Sequence, residues 1–290
     1  MQIAHTIAGC RDAIAGARRR GERIGLVPTM GALHAGHGEL LKRAASECDF
    51  AVASIFVNPL QFGPGEDYER YPRAFAADTQ LCRTAGVALV FAPGVDEMYP
   101  SPTVTTVAVE QLSAELCGRS RPGHFRGVAT VVTKLFNIVQ PDVAYFGEKD
   151  AQQLALIRRM VYDLNQPVRI VGVPTVREPD GLAMSSRNAY LGAKERAEAP
   201  VLYAALQEAR RLVEAGERDT AQVRTAVART IAARPLARLD YVEVVDAGTL
   251  QKIDRIDGPA LAAVAVYFGR TRLIDNVRLE PAVGQGERAQ

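Results

Sequence analysis

The chain has 290 residues, of which 48% are hydrophobic and 23% are charged, and its formal net charge at pH 7 is +2. This length suits one large domain or two, and the composition is that of a globular protein with a sizeable core. A charge so close to zero gives no support to nucleic-acid binding, so we expect small-molecule ligands.

The cysteine spacing and the hydropathy pattern indicate where the protein works. No Cys-x-x-Cys pair is present for zinc or redox chemistry, since the cysteines stand far apart at Cys10, Cys48, Cys82 and Cys117. No stretch approaches the roughly 20 apolar residues of a membrane span, and the N-terminus has no apolar signal region. We therefore expect reduced thiols and a cytoplasmic protein.

From Met1 to about Val176, apolar strand-like runs alternate with helical segments. This pattern predicts a parallel sheet with helices on both faces, in a Rossmann-like α/β domain. The predicted strands are Ile24–Val27, Phe50–Val57, Val87–Phe91, Val143–Phe146 and Val168–Val171, and the predicted helices lie near 37–48, 74–85, 126–139 and 150–163. The segment 98–125 interrupts this alternation of strands and helices, and we expect an insertion that lines the site or an interface.

The first predicted strand stops at Pro28 and Gly31 and leads through a loop of small residues into a helix. A helix N-terminus presents unpaired N–H groups to anions, and small residues let a ligand approach the backbone, so this loop is a predicted phosphate site. His34 and His37 stand three residues apart at this exposed junction. On this stretch alone, they could also be ordinary polar loop residues.

Polar residues follow two further strands at their carboxyl ends, where open α/β sheets bind ligands. Asn58 and Gln61 follow the second strand, Gly147–Asp150 follows the fourth, and Gln153 lies one turn into the next helix. Amides suit hydroxyl and carboxylate ligands because they both donate and accept hydrogen bonds. The alternatives are turn chemistry for Asn58 and a solvated charge cluster for Lys149.

Past Pro174 the pattern changes. Helices are predicted at 194–216 and 219–233, and strands at Leu239–Val245, Leu261–Phe268 and Thr271–Val277. Helices followed by antiparallel-like strands indicate a smaller α+β domain over 177–290, after a first domain over 1–176. The last residues, 284–290, are expected to form a frayed tail.

The loop at the domain boundary carries ligands of the phosphate type. A solvated turn would explain Pro179–Gly181 but not the stretch Met184–Arg187, which places two hydroxyls and a guanidinium in succession. Arginine offers a planar fork of donors to phosphate oxygens, and a loop at a hinge can close over a bound nucleotide. This loop is the second predicted phosphate site.

The stretch His34-Ala35-Gly36-His37 resembles the His-x-Gly-His signature of the nucleotidyl-transferring α/β superfamily, and Met184–Arg187 resembles the Lys-Met-Ser-Lys-Ser type of loop that partners it. Over nearly its whole length the chain resembles the pantothenate synthetase (pantoate–β-alanine ligase) family. The resemblance is carried by Val27–His37, Ser54–Phe62, Tyr71–Arg73, Arg121–Gly127, Phe146–Asp150, Gln152–Leu154, Val171–Val176, Met184–Asn188 and Leu273–Asn276.

This resemblance implies an ATP-dependent ligase that condenses (R)-pantoate with β-alanine through pantoyl adenylate, releasing pyrophosphate and AMP. ATP-binding positions fall on Met30, Gly31, Ala32, Leu33, His34, Ala35, Gly36, His37, Gly147, Glu148, Lys149, Asp150, Val176, Met184, Ser185, Ser186 and Arg187. Catalytic roles fall on His34, His37, Lys149, Ser185, Ser186 and Arg187. Pantoate binding falls on Asn58, Gln61 and Gln153, and β-alanine binding on Gln61.

The resemblance also implies Mg²⁺ on the phosphate oxygens, a homodimer, and no nucleic-acid or membrane partner. No protein ligand is assigned to the metal, because Ala76-Ala77-Asp78 stands where relatives tend to be more acidic. His37 could donate a proton or only a hydrogen bond. Arg121 and His124 receive no role.

Two other functions stay open. A nucleotidyltransferase with a phosphorylated acceptor would use the same two loops, but neutral Gln61 and Gln153 argue against it because a phosphate calls for arginine or lysine. An RNA-binding module descended from a synthetase is disfavoured by the near-neutral charge. Pyrophosphate release that depends on pantoate and not on RNA separates the three.

Overall fold

The structure is a computed structural model that describes residues 1–281. The chain divides into two compact units, with the division between Val176 and Arg177. The predicted C-terminal tail, 284–290, lies outside the described residues. Each unit is described by itself below.

The first unit is built on a six-stranded parallel sheet in the order β1-β4-β3-β2-β5-β6. Its strands are β1 (Gln2–Ala4), β2 (Ile24–Thr29), β3 (Phe50–Ile55), β4 (Leu89–Phe91), β5 (Val143–Gly147) and β6 (Arg169–Val173). The residues of β2 to β5 are almost all buried, as both-face coverage by helices requires. The predicted Rossmann-like α/β fold is confirmed.

The strand order decides where a ligand site can form. From β2 the chain continues to β3 and β4 on one side, and later returns to the other side of β2 with β5 and β6. The loops after β2 and β5 therefore leave the sheet in opposite directions and open a crevice at their carboxyl ends. Both of these loops were singled out from the sequence.

Eight helices surround this sheet within the described residues. They are α1 (Ile7–Arg19), α2 (Ala35–Glu47), α3 (Phe75–Thr84), α4 (Val95–Met98), α5 (Glu110–Ser113), α6 (Cys117–Ser120), α7 (His124–Val139) and α8 (Ala151–Asp163). The first strand and helix were not predicted, although Thr6 caps α1 and its buried Cys10, Ile14 and Ala17 recur at helical spacing.

Strand β2 runs two residues past its predicted end, through Pro28 to Thr29. The Thr29 carbonyl points toward β3, where it accepts the Phe56 N–H. Because backbone groups of successive strand residues point to opposite sides, the backbone nitrogen of Pro28 points toward β5, and the pairing of β2 with β5 has already ended at Leu26. The missing N–H of Pro28 therefore costs no ladder hydrogen bond.

The segment 98–125 departs from the alternation of strands and helices, as predicted. Its alternating run Thr103–Val109 forms no strand, and Val104 is 96% exposed. The short α5 and α6 follow, and Gln152 of α8 anchors them, since its amide bonds the Cys117 N–H at 3.0 Å and the Leu112 and Glu115 carbonyls at 2.7 and 2.6 Å.

The second unit packs helices against a three-stranded antiparallel sheet in the order β7-β8-β9, which confirms the predicted α+β character. Its elements are α9 (Ala193–Glu198), α10 (Val201–Glu214), α11 (Thr220–Ala232), β7 (Ala237–Asp246), β8 (Ala260–Phe268) and β9 (Thr271–Leu279). The buried faces of α10, α11 and β8 share one apolar core. Across residues 1–281, no helix is both long enough and apolar enough to span a membrane.

Candidate active site

The loop from β2 to α2 has an unusual backbone. Gly31 and Ala32 both have positive φ, at 80° and 50°. A glycine adopts this conformation without strain, whereas Ala32 must be held in it by its surroundings. The Thr29 hydroxyl helps, since it donates to the Ser54 carbonyl at 2.6 Å and accepts the Gly31 N–H at 3.2 Å.

Asp78, in the first turn of α3, supplies the main support of this loop. Its two carboxylate oxygens accept the N–H groups of Ala32 at 2.9 Å and Leu33 at 2.7 Å, and the residue is only 2% exposed. A Cβ at Gly31 would lie 3.0 Å from the same carboxylate, so glycine fits the close approach. From the sequence, Asp78 stood only in a stretch to which no metal ligand was assigned, and no local motif signals its supporting role.

His34 and His37 share one hydrogen-bond pattern at the start of α2. His34 is the N-cap, and its Nδ1 accepts the Gly36 N–H at 3.2 Å, while Nδ1 of His37 accepts the His34 N–H at 3.3 Å. A neutral imidazole that accepts at Nδ1 carries its proton on Nε2. Both rings, 4.1 Å apart between centroids, are therefore N–H donors through Nε2.

The charge state of His37 follows from its surroundings. Burial, and next the neighbouring His34, lower the pKa of His37 to about 3, and the charges of Asp150 and Lys149 act on the same ring in opposite directions. The ring is therefore neutral near pH 7. The junction is also half-buried, not exposed as the sequence suggested.

The loop after β5 lies beside this histidine pair. Gly147 ends the strand, Glu148–Asp150 forms one 3₁₀ turn, and Ala151 begins α8. Residues 147–150 are half-buried. Because the charges of Lys149 and Asp150 act on His37, the loops after β2 and β5 meet at the switch point of the sheet.

Asn58 and Gln61 follow β3 in a 3₁₀ turn, Pro59–Gln61. The Asn58 amide nitrogen donates to Gln61 Oε1 at 3.0 Å and to the Gly127 carbonyl at 3.1 Å, and its oxygen accepts from Tyr99 Oη at 2.8 Å and from the Leu60 N–H. Asn58 is 1% exposed, so its amide is used within the protein. This geometry favours a role in holding Gln61, in place of the predicted direct contact with a ligand.

Gln61 and Gln153 keep more of their amide groups for a ligand than Asn58 does. Nε2 of Gln61 lies 3.0 Å from the Met30 sulfur, a weak acceptor. Gln153 is half-buried in the first turn of α8, next to the structural Gln152. No hydrogen bond of the Gln153 side chain to other residues within 1–281 is found.

The second predicted phosphate loop belongs to the second unit, where ion pairs and hydrogen bonds hold it in place. Arg177 donates to both carboxylate oxygens of the buried Asp275, at 2.6 and 3.0 Å, and its guanidinium lies 4.0 Å from the Tyr203 ring centroid. Glu178 accepts the Asn188 amide at 3.0 Å and pairs with Arg196. These contacts fix both ends of the loop.

Within this loop, Ser185 caps a 3₁₀ turn over Ser186–Tyr190, since its hydroxyl accepts the Arg187 N–H at 3.3 Å. Residues 184–187 are half-buried. The predicted nucleotide residues thus fall in two groups: those up to Val176 belong to the first unit, and Met184–Arg187 belongs to the second. Within the first unit, the loops after β2 and β5 meet at the carboxyl edge of the sheet.

Comparison with known proteins matches both the sequence and the fold. A sequence profile described as Pantoate-beta-alanine ligase matches residues 2–278. The pantothenate synthetase of Heliobacterium modesticaldum is 59% identical over 262 residues, covering 90% of this chain and 93% of the relative. That of Moorella thermoacetica is 56% identical over 280 residues, covering 97% and 99%.

Solved structures agree. The crystal structure of pantothenate synthetase from Thermus thermophilus has a TM-score of 0.92 at 51% identity, covering 97% of this chain and 100% of that chain. Pantoate-beta-alanine ligase from Francisella tularensis, complexed with beta-gamma ATP and beta-alanine, has a TM-score of 0.79 at 35% identity, covering 96% and 97%. The chain therefore belongs to the pantoate–β-alanine ligase family.

Proposed function

We propose that the protein condenses (R)-pantoate with β-alanine in two steps at the expense of ATP. In the first step a pantoate carboxylate oxygen attacks the α-phosphorus, the bond from that phosphorus to the bridging oxygen breaks, and pyrophosphate leaves. In the second step the β-alanine amine attacks the acyl carbon of pantoyl adenylate, the bond to AMP breaks, and the amine gives up a proton. Family membership supports this overall reaction.

The observation that carries the proposal is the pair of neutral Nε2–H donors of His34 and His37 at the N-terminus of α2. Donors fixed in advance stabilise charge that develops on phosphate oxygens without reorganising during the reaction. A neutral His37 acts as a hydrogen-bond donor, because its pKa of about 3 leaves no imidazolium near pH 7 to transfer a proton.

We assign the nucleotide to the residues predicted from the resemblance. Met30–His37, Gly147–Asp150 and Val176 hold it from the first unit, and Met184–Arg187 closes on the triphosphate from the second, which serves as a lid. Lys149 and Arg187 supply positive charge, while the two serine hydroxyls donate short hydrogen bonds. The beta-gamma ATP named for the Francisella tularensis structure supports a nucleotide substrate.

Magnesium enters this proposal as part of the substrate, MgATP. Across the described residues, no group of three or more His, Cys, Asp or Glu side chains is arranged to hold a metal ion. The Asp78 carboxylate, which supports the loop after β2, already accepts the N–H groups of Ala32 and Leu33 through its two oxygens. Phosphate oxygens and water are the ligands that Mg²⁺ prefers in nucleotide sites.

The acid substrate is assigned to the neutral amides. Gln61 and Gln153 bind the hydroxyl and carboxylate groups of pantoate, and Gln61 also contacts β-alanine. The Asn58 amide nitrogen donates to Oε1 of Gln61, so the Nε2–H group of Gln61 points away from Asn58. Amides suit this substrate because its hydroxyls need both donors and acceptors.

We further propose a homodimer that works in the cytoplasm on small molecules, without a nucleic-acid or membrane partner. Cys10, Cys48, Cys82 and Cys117 are buried thiols without disulfides, as expected in a reducing compartment. Light scattering of the purified protein checks the dimer.

Mass spectrometry tests the reaction. With ATP, Mg²⁺ and pantoate, we expect pantoyl adenylate and pyrophosphate, and addition of β-alanine should convert the adenylate into the amide and AMP. Pyrophosphate release that requires a phosphorylated acceptor, or RNA, would replace the proposal by one of its rivals.

A further inference from the structure

The main-chain carbonyl of Gln61 accepts hydrogen bonds from two side chains, one at the start of α7 and one just before it. Nδ1 of His124 lies 2.7 Å from this oxygen, and Nη2 of Arg121 lies 3.2 Å from it. The first of these contacts joins residues 63 positions apart in the sequence. Two donors on one carbonyl fix the peptide plane that carries the Gln61 side chain.

Arg121 is itself held in place. Its guanidinium forms a two-point ion pair with Glu66, Nε to Oε1 at 2.7 Å and Nη2 to Oε2, and the two side chains are only 17% and 24% exposed. Glu66 also accepts the Gly63 N–H at 3.1 Å. The ion pair therefore ties the segment just after Gln61 to the segment just before α7.

His124 completes the network as a neutral ring. Because its Nδ1 donates to the Gln61 carbonyl, its Nε2 is unprotonated and accepts from Nη1 of Arg121 at 3.1 Å. Burial, and next the Arg121 charge, lower the pKa of His124 to about 4, in agreement with a neutral ring.

The first turn of α7 also packs directly against the 3₁₀ turn Pro59–Gln61. A Cβ at Gly127 would lie 2.1 Å from the Leu60 carbonyl oxygen, so only glycine allows this approach. The Gly127 carbonyl in turn accepts from Asn58, which holds the Gln61 amide at Oε1. The first turn of α7 thus holds the main chain of Gln61 through His124 and its side chain through Gly127 and Asn58.

We infer that Glu66, Arg121 and His124 are positioning residues that aim the Gln61 amide at the acid substrate. This inference rests on the proposed assignment of Gln61 to pantoate. The three residues contact Gln61 or one another, and they act on the reaction through Gln61. Their effect falls on recognition of the hydroxy acid and not on the nucleotide, which the loops after β2 and β5 are proposed to hold.

Initial rates of pyrophosphate release, measured against pantoate and against ATP, test this. His124→Leu removes the donor to Gln61 and should raise the KM for pantoate about tenfold, the effect of one lost hydrogen bond, with the KM for ATP changed less than twofold. His124→Asn keeps a side-chain N–H at the position of Nδ1 and should restore most of the loss. His5→Leu is the matched control, since His5 also contacts a main-chain carbonyl, that of Ala92 at 2.8 Å.

A double-mutant cycle with Gln61→Ala shows whether His124 acts through Gln61. In the Gln61→Ala background, His124→Leu should change the KM for pantoate less than twofold, because no amide is left to aim. Full additivity would overturn the inference, and so would equal losses for pantoate and ATP. If His124→Leu does not fold, as judged by circular dichroism, Arg121→Lys takes its place in the cycle, with the same two outcomes.

The cycle also separates the inference from the proposal beneath it. A raised KM for pantoate in Gln61→Ala, with none in His124→Leu or Arg121→Lys, would overturn the positioning network and leave the assignment of Gln61 standing. A normal KM for pantoate in Gln61→Ala would overturn that assignment, and the inference with it.

Discussion

His34 and His37 show how the main chain sets the chemistry of a single side chain. In each ring a backbone N–H occupies Nδ1, which leaves the proton on Nε2 as the only donor. His37, whose pKa is lowered to about 3, stays neutral from pH 5 to 8 and donates the same hydrogen bond throughout this range. The first step should therefore not lose activity through titration of His37 near neutral pH.

Replacing either histidine by alanine should lower the rate of adenylate formation by about 10²–10³-fold, the usual loss when one transition-state donor is removed. The fold should persist, because neither ring is fully buried. Pyrophosphate release measures the rate, and Lys42→Ala, an exposed change on the same helix, is the control. A variant that forms adenylate at the wild-type rate would remove that histidine from the site.

The depressed pKa of His37 also predicts how stability depends on pH. Its folded pKa of about 3 lies below the ordinary 6.5, so the unfolded chain binds the proton first as pH falls. The free energy of unfolding should decrease from pH 6.5 toward pH 3, at up to about 1.4 kcal/mol per pH unit from this group, with no contribution above that window.

Urea unfolding of the wild type and of His37→Gln at several pH values between 4 and 7 measures this slope. The variant should show a shallower loss of stability on acidification, while His124 and the carboxylates contribute equally in both proteins. Parallel curves would mean that folding does not lower the pKa of His37.

Among the elements, each of the two predicted phosphate loops is supported by a carboxylate from a distant part of its own unit. Asp78 of α3 bonds the loop after β2, and Asp275 of β9 bonds Arg177 at the start of the other loop. A carboxylate offers two acceptors at fixed spacing, so it can hold two neighbouring donors at once. The supporting residues thus lie outside the loops that they shape.

Asp78→Asn should destabilise the protein by about 1–3 kcal/mol, because one of the two loop N–H groups would face an amide N–H in place of an acceptor. The left-handed conformation of Ala32 would also lose its support. We therefore expect a raised KM for ATP together with the lower free energy of unfolding.

Asp96→Asn is the matched control for this change, since Asp96 is an exposed carboxylate in the first turn of α4. Chemical unfolding and ATP-dependent pyrophosphate release measure the two effects. An Asp78→Asn protein as stable and as active as the control would contradict the supporting role.

Across the whole molecule, the second predicted phosphate loop is held within its own unit. Arg177 joins it to β9, and Arg196 of α9 pairs with both Glu178 and Asp180. A loop held at several points moves with the body that holds it. The proposed closure over the nucleotide is therefore a movement of the second unit, and it would exclude water from an adenylate that hydrolyses readily.

ATP should protect the backbone of residues 177–190 from hydrogen exchange in the wild type, and Arg187→Ala should reduce both this protection and the rate of adenylate formation. Exchange with and without ATP, followed by mass spectrometry, gives the measurement. Arg224→Ala, an exposed arginine on α11, is the control. Unchanged exchange in the wild type would refute closure even if the catalytic assignments survive.

Most of the fold could be predicted from local pattern. Buried strands of apolar residues, helical spacing and glycine-bearing loops identified β2 to β6 and the antiparallel second unit, because these signals lie within a few residues of each other. The edge strand β1 was missed, since it has only three residues and β1 pairs with β4, about 87 positions along the chain. The extension of β2 through Pro28 was also missed, because it depends on β2 pairing with β3 up to Thr29 after its pairing with β5 has ended at Leu26.

The α/β architecture and the family could be predicted from the sequence, and so could the division that the structure has near Val176, because these signals come from local runs of residues. The two loops with phosphate-type ligands stay predictions. Three features became visible only in the folded protein: Asp78 supports the loop after β2, the Asn58 amide is hydrogen-bonded within the protein, and His37 is neutral. The hydrogen bond from the Ala32 N–H to Asp78 spans 46 positions, and the pKa of His37 is lowered first by burial and next by the neighbouring His34. These properties arise when the folded chain brings distant groups together and removes water from around them.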